Sequence, residues 1–450
     1  MIALRCLPLL IAFGATEGAA QQPAEKPATA SGGCRFRLVS TGGTGSQVVA
    51  GPDTNYFANG GVRLMCADSS ARISSDSVAM YGRGRNTVVD FVGHVRYDDS
   101  LTIQTADRGT YYRNGDRWEA RANVLTQNRR DSSTINGPSL DYFRVVPGVR
   151  DTLEMYAVGR PTIRSFPQDT AGTRQEPYVI VADRVRMKGN NRTWAAGQVT
   201  IDRSDFSARC DSLYLDNGPG NVGRLMGTPV MRGLGRDSFE LHGRRIDLTL
   251  DHSAIKYVQA DGQGHAITKD LDLVADTIGL SLEKQKLVQT IAWGDSIKPR
   301  ALTADYEIRG DSLAFDTPEQ QLREIRAFRA AWAGGKPDSL THERDWISGD
   351  SIVATFTTID SAGTARTVAE QLQGLGKAHS FYRVSDPKKN GGRESIDYAR
   401  GDRIIVHMQT TGPRGVDWVR VLGHADGVHL VPLPPPPDTT KANAPTKGER

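Results

Sequence analysis

The chain has 450 residues, 38% hydrophobic, 24% charged and 7% aromatic, with 56 basic against 52 acidic residues and a net charge of +4. That length exceeds one ordinary globular core and suits two or three domains or one extended array. The near balance of charge gives nucleic-acid binding no compositional support. The 47 glycines show no G-X-Y period, which excludes collagen, and beyond residue 20 no run approaches the roughly 18 apolar residues of a membrane-spanning helix.

Residues 1–20 read as a secretory signal peptide. Arg5 supplies a positive charge, an apolar run extends from Leu7 to Phe13, and Gly18-Ala19-Ala20 precede Gln21 in the small-x-small pattern of a cleavage site. Cys6 lies before the apolar run, so no lipobox is formed. Export with cleavage before Gln21 is expected, and the resemblance described below implies the periplasm, with outer-membrane association as an extension. Residues 21–33 form a flexible linker, and residues 432–450 a Pro-rich tail without core-forming residues. The folded part spans 34–431, divided here into an N-terminal half, 34–240, and a C-terminal half, 241–431.

The mature chain would keep Cys34, Cys66 and Cys210. An odd count leaves at least one thiol unpaired or intermolecular. Cys34 and Cys66 could pair near the N-terminal end, which the sequence leaves open. No C-x-x-C is present, so no zinc site is expected. Cys210 stands where other copies of the repeat below carry Ala or Gly, which marks it as a small buried residue.

The interior repeats one pattern: small residue, Asp, any, apolar, any, apolar. It occurs at Asp76, Asp107, Asp183, Asp211, Asp276, Asp311, Asp350 and Asp402, with degenerate copies around Asp141 and Asp247. Strand-like pieces ending in Gly or Ala follow, and clusters such as NGD at 114–116 and NGPGN at 217–221 separate them. The period is two, so the pieces are half-buried strands: after Asp211, Leu213 and Leu215 point one way, Ser212 and Tyr214 the other. A unit of this size cannot bury its apolar face alone, whereas a stack can. Residues 318–335 and 367–374 carry helix propensity, but their place in the repeat predicts strands, the first through Leu322, Ile325 and Phe328.

No catalytic constellation emerges. The acidic residues are scattered and do not cluster as glycoside hydrolysis requires. There is no G-x-S-x-G, and the nine histidines show no H-E-x-x-H spacing. One Asp per repeat is too sparse for a calcium roll, and each Asp is expected to bond a backbone N–H where a strand begins. Tyr111, Tyr112, Trp118, Trp194 and Trp293 are expected to pack within the fold, not to form a sugar platform. The chain is therefore read as a non-enzyme without cofactor or metal.

Residues 93–127 resemble the OstA-like repeat of the lipopolysaccharide-transport proteins LptA, LptC and the N-terminal part of LptD: GHV at 93–95, LTIQTAD at 101–107, TYY at 110–112 and ANV at 122–124. A second match runs from 197 to 216, and weaker copies extend the pattern over roughly 57 to 430. The chain is about twice the length of LptA and lacks the barrel strands of LptD. The resemblance implies an all-β, extended stacked β-jelly-roll or open β-solenoid, roughly 45–95 Å long, carrying lipopolysaccharide or a related lipid between its walls. It also implies edge-strand pairing with other OstA-like proteins, and the ends are expected near 57–66 and 418–431. The apolar stripe, and hence the candidate lipid groove, comprises Val78, Met80, Tyr111, Val185, Met187, Leu213, Leu215, Ile278, Leu280, Leu313, Phe315, Ile404 and Val406. The rival reading is a secreted structural or adhesive solenoid with a filled core.

Overall fold

A computed structural model describes residues 33–433 apart from 68, 167–172, 175, 190, 219–220, 235–237, 252–253, 270, 284–285, 304–305, 337–343, 362–363, 386–393 and 411–415. The signal peptide, most of the linker and nearly all of the tail read from sequence lie outside the described residues. Those described are almost all strand, joined in one antiparallel 30-stranded sheet with two short 3-10 turns.

The sheet is bent lengthwise into two arms. The strand Val88–Asp98 shows how: residues 88–92 pair with 77–81, then the register breaks and residues 96–98 pair with 72–74. The first stretch belongs to what we term the A arm, the second to the B arm. Fourteen long strands run through both arms and eight short ones belong to each, so each arm is twenty-two strands deep. At about 4.8 Å between neighbours the stack is roughly 100 Å long. Its ends are the short strands Phe36–Ser40 and Gly45–Ala50, then Val416–Leu422 and Asp426–Leu430, each paired on one side among the described residues. The C-terminal end matches expectation, but residues 57–66 do not form the N-terminal one: those two short strands cover both arms of Asp53–Cys66.

The bend explains the recurrent aspartate. Asp76, Asp107, Asp211, Asp276, Asp350 and Asp402 lie mid-strand at the bend, contrary to the sequence reading, whereas Asp183 and Asp311 stand directly before the strands Arg184–Lys188 and Ser312–Asp316, as that reading expects. The neighbouring rung crosses the same line with two successive residues of positive φ: Gly93–His94 (77° and 44°), Ala122–Asn123 (60° and 50°), Gly197–Gln198 (83° and 44°) and Gly376–Lys377 (70° and 46°). These extra residues form bulges that re-aim the strand. The Asp carboxylate fills the notch beside the bulge. Asp76 meets His94 Nδ1 at 2.8 Å, Asp107 accepts from Asn123 Nδ2 at 2.7 Å, and Asp183 accepts from Arg160 at 3.0 Å. Among the described residues Asp276 shows the expected backbone bonds, from the N–H groups of Ser296 (2.7 Å) and Ile297 (3.0 Å). The degenerate copies are different: Asp141 and Asp247 sit within the A arm, paired with Arg121 and Arg224. Pro138 takes the place of Asp at one of these bends, against Gly159.

The apolar sides of both arms face each other and form one core cluster from Cys34 to Met408. Beyond residue 260 both arms mix small and large residues: Ala275, Ala301, Ala333 and Ala378 beside Leu273, Ile308 and Ile347 on the B arm, and Ala292, Ala327 and Ala354 beside Ile278, Leu313, Phe315 and Ile404 on the A arm. Small beside large lets the arms close without voids. Residues 324–335 and 364–385 are strands as predicted, although the first begins after Leu322 and leaves Phe328 exposed on the outside. Cys34 and Cys66 form a disulfide, with Cα atoms 5.4 Å apart.

At Gly197 (φ 83°) a Cβ would overlap the Asp183 carboxylate. Gly197→Ala is expected to destabilise the fold by about 1–3 kcal/mol through the left-handed backbone and this overlap. Urea unfolding checks this; an unchanged midpoint would contradict the account of the bend.

Candidate functional site

All thirteen groove candidates belong to the core cluster or pack on it. Tyr111, Val185, Leu213, Ile278, Leu280, Leu313, Phe315, Ile404 and Val406 are buried; Val78, Met80, Met187 and Leu215 are half-buried. They share one arm, because positions two and four after each bend Asp point inward from the A arm. The opposing B-arm wall was missed from the sequence. Its inward residues precede the Asp and are often Ala, Gly or Thr, which carry a weak hydrophobic signal.

The interior differs along its length. Near the N-terminal end it is filled by Phe36, Phe91, Tyr97, Tyr111, Trp118 and Tyr142. Phe36 and Tyr111 meet edge-on at 5.0 Å between centroids and Tyr97 and Tyr142 edge-on at 6.0 Å, while Tyr97 and Trp118 lie tilted at 5.7 Å. These contacts join the arms, since Phe36 and Tyr97 belong to B and the others to A. Polar bonds reinforce them. Trp118 Nε1 donates to Gln104 across the gap, and Gln104 donates to Thr126 at 2.7 Å. Tyr97 donates to Asp99 at 2.7 Å, and Tyr111 to Asp116 at 2.6 Å. Arg144 lies 3.6 Å from the same Asp116. Burial, and then the Asp116 carboxylate, push the Tyr111 hydroxyl well above the ordinary phenol range, so it stays a donor at any working pH.

The chain also straps this end. The strand Phe36–Ser40 lies on the B arm, yet the Cys34 N–H donates to Tyr111 Oη of the A arm at 2.6 Å, and Gly33 abuts Arg113. The disulfide to Cys66 fixes the strap at its B-arm side.

Immediately beyond the plug the free ends of the arms, the lips, part. A cavity of about 410 Å³ lies between them, with Ile135, Ile163 and Ile180 on the B side and Leu153, Met155 and Leu215 on the A side. Met187, a groove candidate, also lines it, and Arg129, Arg130 and Asn217 stand at its rim.

Outside, Tyr156, Arg186, Trp194 and Tyr214 form a stacked row on the A arm. Arg186 lies 5.4 Å from both Tyr156 and Trp194, and Trp194 lies 5.3 Å from Tyr214. The aromatic residues singled out from sequence therefore divide: Tyr111 and Trp118 are core, whereas Tyr112, Trp194 and Trp293 stand outside. Among the described residues no three His, Cys, Asp or Glu side chains are grouped to hold a metal ion, and no helix is long and apolar enough to cross a membrane. Both ends of the stack expose apolar residues, including Val49 (72%) and Leu430 (56%). Compared with known proteins, the chain matches no family model and no curated protein.

Cys210 is buried on the B arm, and burial pushes its thiol up to about 11 from 9.0. The neutral thiol suits the core below pH 9, and that contribution to stability is lost as pH rises toward 11. At pH 8 native Cys210 is expected to resist a maleimide that labels the urea-unfolded chain rapidly. Equal labelling of both states would show that the core around it is open.

Proposed function

We propose that the chain is a periplasmic, non-enzymatic lipid carrier of the OstA-like class. Its stacked β-jelly-roll would hold acyl chains of lipopolysaccharide or a related lipid between its arms and deliver them toward the outer membrane. The observation that carries this reading is the single apolar interior running from Cys34 to Met408, which parts between the lips into a cavity lined by aliphatic residues from both arms and edged by polar ones. An acyl chain there gains roughly 0.8 kcal/mol per buried CH₂. Edge strands paired on one side among the described residues stand at both ends and supply sites for β-augmentation by related domains or further copies. A second reading, an extended scaffold with no lipid between its arms, is favoured by the closed packing around Ile278, Leu313 and Ile404.

Photo-crosslinking in cells separates the two. Probes at Leu213, Leu280 and Phe315 are expected to capture lipopolysaccharide, and one at the outward Tyr214 is not. An exported, folded protein without adducts at any of these sites would leave the scaffold reading.

The ends are tested independently. Val419 pairs with Val406 in the last A-arm strand. Val419→Pro removes an N–H there and is expected to weaken self-association or partner capture, measured by light scattering or pull-down. Assembly identical to that of the original chain would argue against edge pairing.

A further inference from the structure

We infer that a single unbranched acyl chain reaches the interior sideways, between the lips lined by Ile135, Ile163 and Ile180 on one side and Leu153, Met155 and Leu215 on the other, and not through the N-terminal end of the stack. The inference rests on the carrier reading and specifies the route and the part of the ligand that is recognised.

Three observations lead to it. First, the N-terminal end is shut twice. The aromatic plug of Phe36, Phe91, Tyr97, Tyr111, Trp118 and Tyr142 occupies the space an acyl chain would need, and hydrogen bonds between the arms lock it. The strap at Cys34 then crosses from arm to arm, bonded to Tyr111 and tied to Cys66. An interior that ends in a satisfied polar network and packed rings cannot pass a lipid along its axis without breaking both. Second, the cavity of about 410 Å³ lies directly past this plug, within the range of about 300–1,000 Å³ typical of small-molecule sites. Its floor is aliphatic, and Met155 and Met187 supply the adaptable thioethers that fit a flexible chain.

Third, the rim has little to offer a head group. Arg129 donates to Asp98 and to the Asp99 carbonyl. Arg130 has no ion-pair partner among the described residues, but Asp131 stands beside it on the rim, its carboxylate accepting the Ser133 N–H at 2.8 Å. With both signs present, the site recognises the hydrocarbon and leaves the head in water.

The test uses the full mature chain with cis-parinaric acid, whose fluorescence rises in an apolar site, and hexadecanol as a neutral competitor. Saturable binding is expected, with competition by hexadecanol. Met155→Trp and Leu215→Trp, which fill the cavity, should each weaken binding by about tenfold or more, with thermal unfolding confirming the fold. The Cys34→Ser/Cys66→Ser pair should leave uptake rate and affinity unchanged. A bimane label on Arg130→Cys, quenched by a nitroxide-labelled stearic acid, reports the same event without altering the floor. The inference is overturned by no saturable binding, by full binding in folded Trp variants, by absence of quenching, by failure of hexadecanol to compete, or by several-fold faster uptake once the strap is untied. If those results come with lipid adducts at Leu213, Leu280 and Phe315 in cells, the carrier reading stands and the sideways route falls. If adducts are also absent, both fall.

Discussion

The bend across every long strand is the constraint on which the rest of this molecule depends. A strand cannot turn sharply and keep an unbroken ladder, so alternate rungs take two extra residues of positive φ and the rungs between them place a short carboxylate in the notch. Because this happens along one line, the two arms stay in step over twenty-two strands. Their inward faces then remain opposed, and the apolar positions after each Asp fall on one wall. Loss of register at one bend would move a strand's inward residues outward, since side chains alternate.

From that geometry the interior follows, and its filling is uneven for a chemical reason. The N-terminal rungs place rings and their polar partners between the arms, and the Trp118–Gln104 and Cys34–Tyr111 bonds tie the walls together. The later rungs pack Ala beside Ile, Leu or Phe, which brings the walls close. Between the two regimes several short strands replace long ones, around Glu154–Val158 and Thr162–Ser165, and the lips separate there.

Much of this was legible in the sequence. Period-two alternation around each Asp identified the strands and the A-arm wall, and the spacing of the copies identified the array. What was hidden has physical causes. The role of the Asp depends on a neighbouring rung about 20 residues away, and the bulges opposite it are not always marked by Gly: Ala122–Asn123 and Arg329–Ala330 take positive φ with ordinary residues. Asp141 and Asp247 imitated the motif without lying at the bend, because a proline holds one of these bends instead. Residues 324–335 looked helical because Ala, chosen here to fit against large side chains, is also the strongest helix former. The plug could not be foreseen, because Tyr97 and Trp118 lie on different arms and meet only after folding.

The disulfide has a mechanical corollary. A stack whose rungs touch only their neighbours loses structure from its ends inward. At one end Cys34–Cys66 closes a 32-residue span, a cross-link of a length that holds back unravelling by roughly 3–4 kcal/mol. No cross-link ties the two short strands at the other end among the described residues. Pulled or heated, such a molecule has a direction: it peels from its last rungs toward its first, and the cysteine-bound rungs are the last to let go.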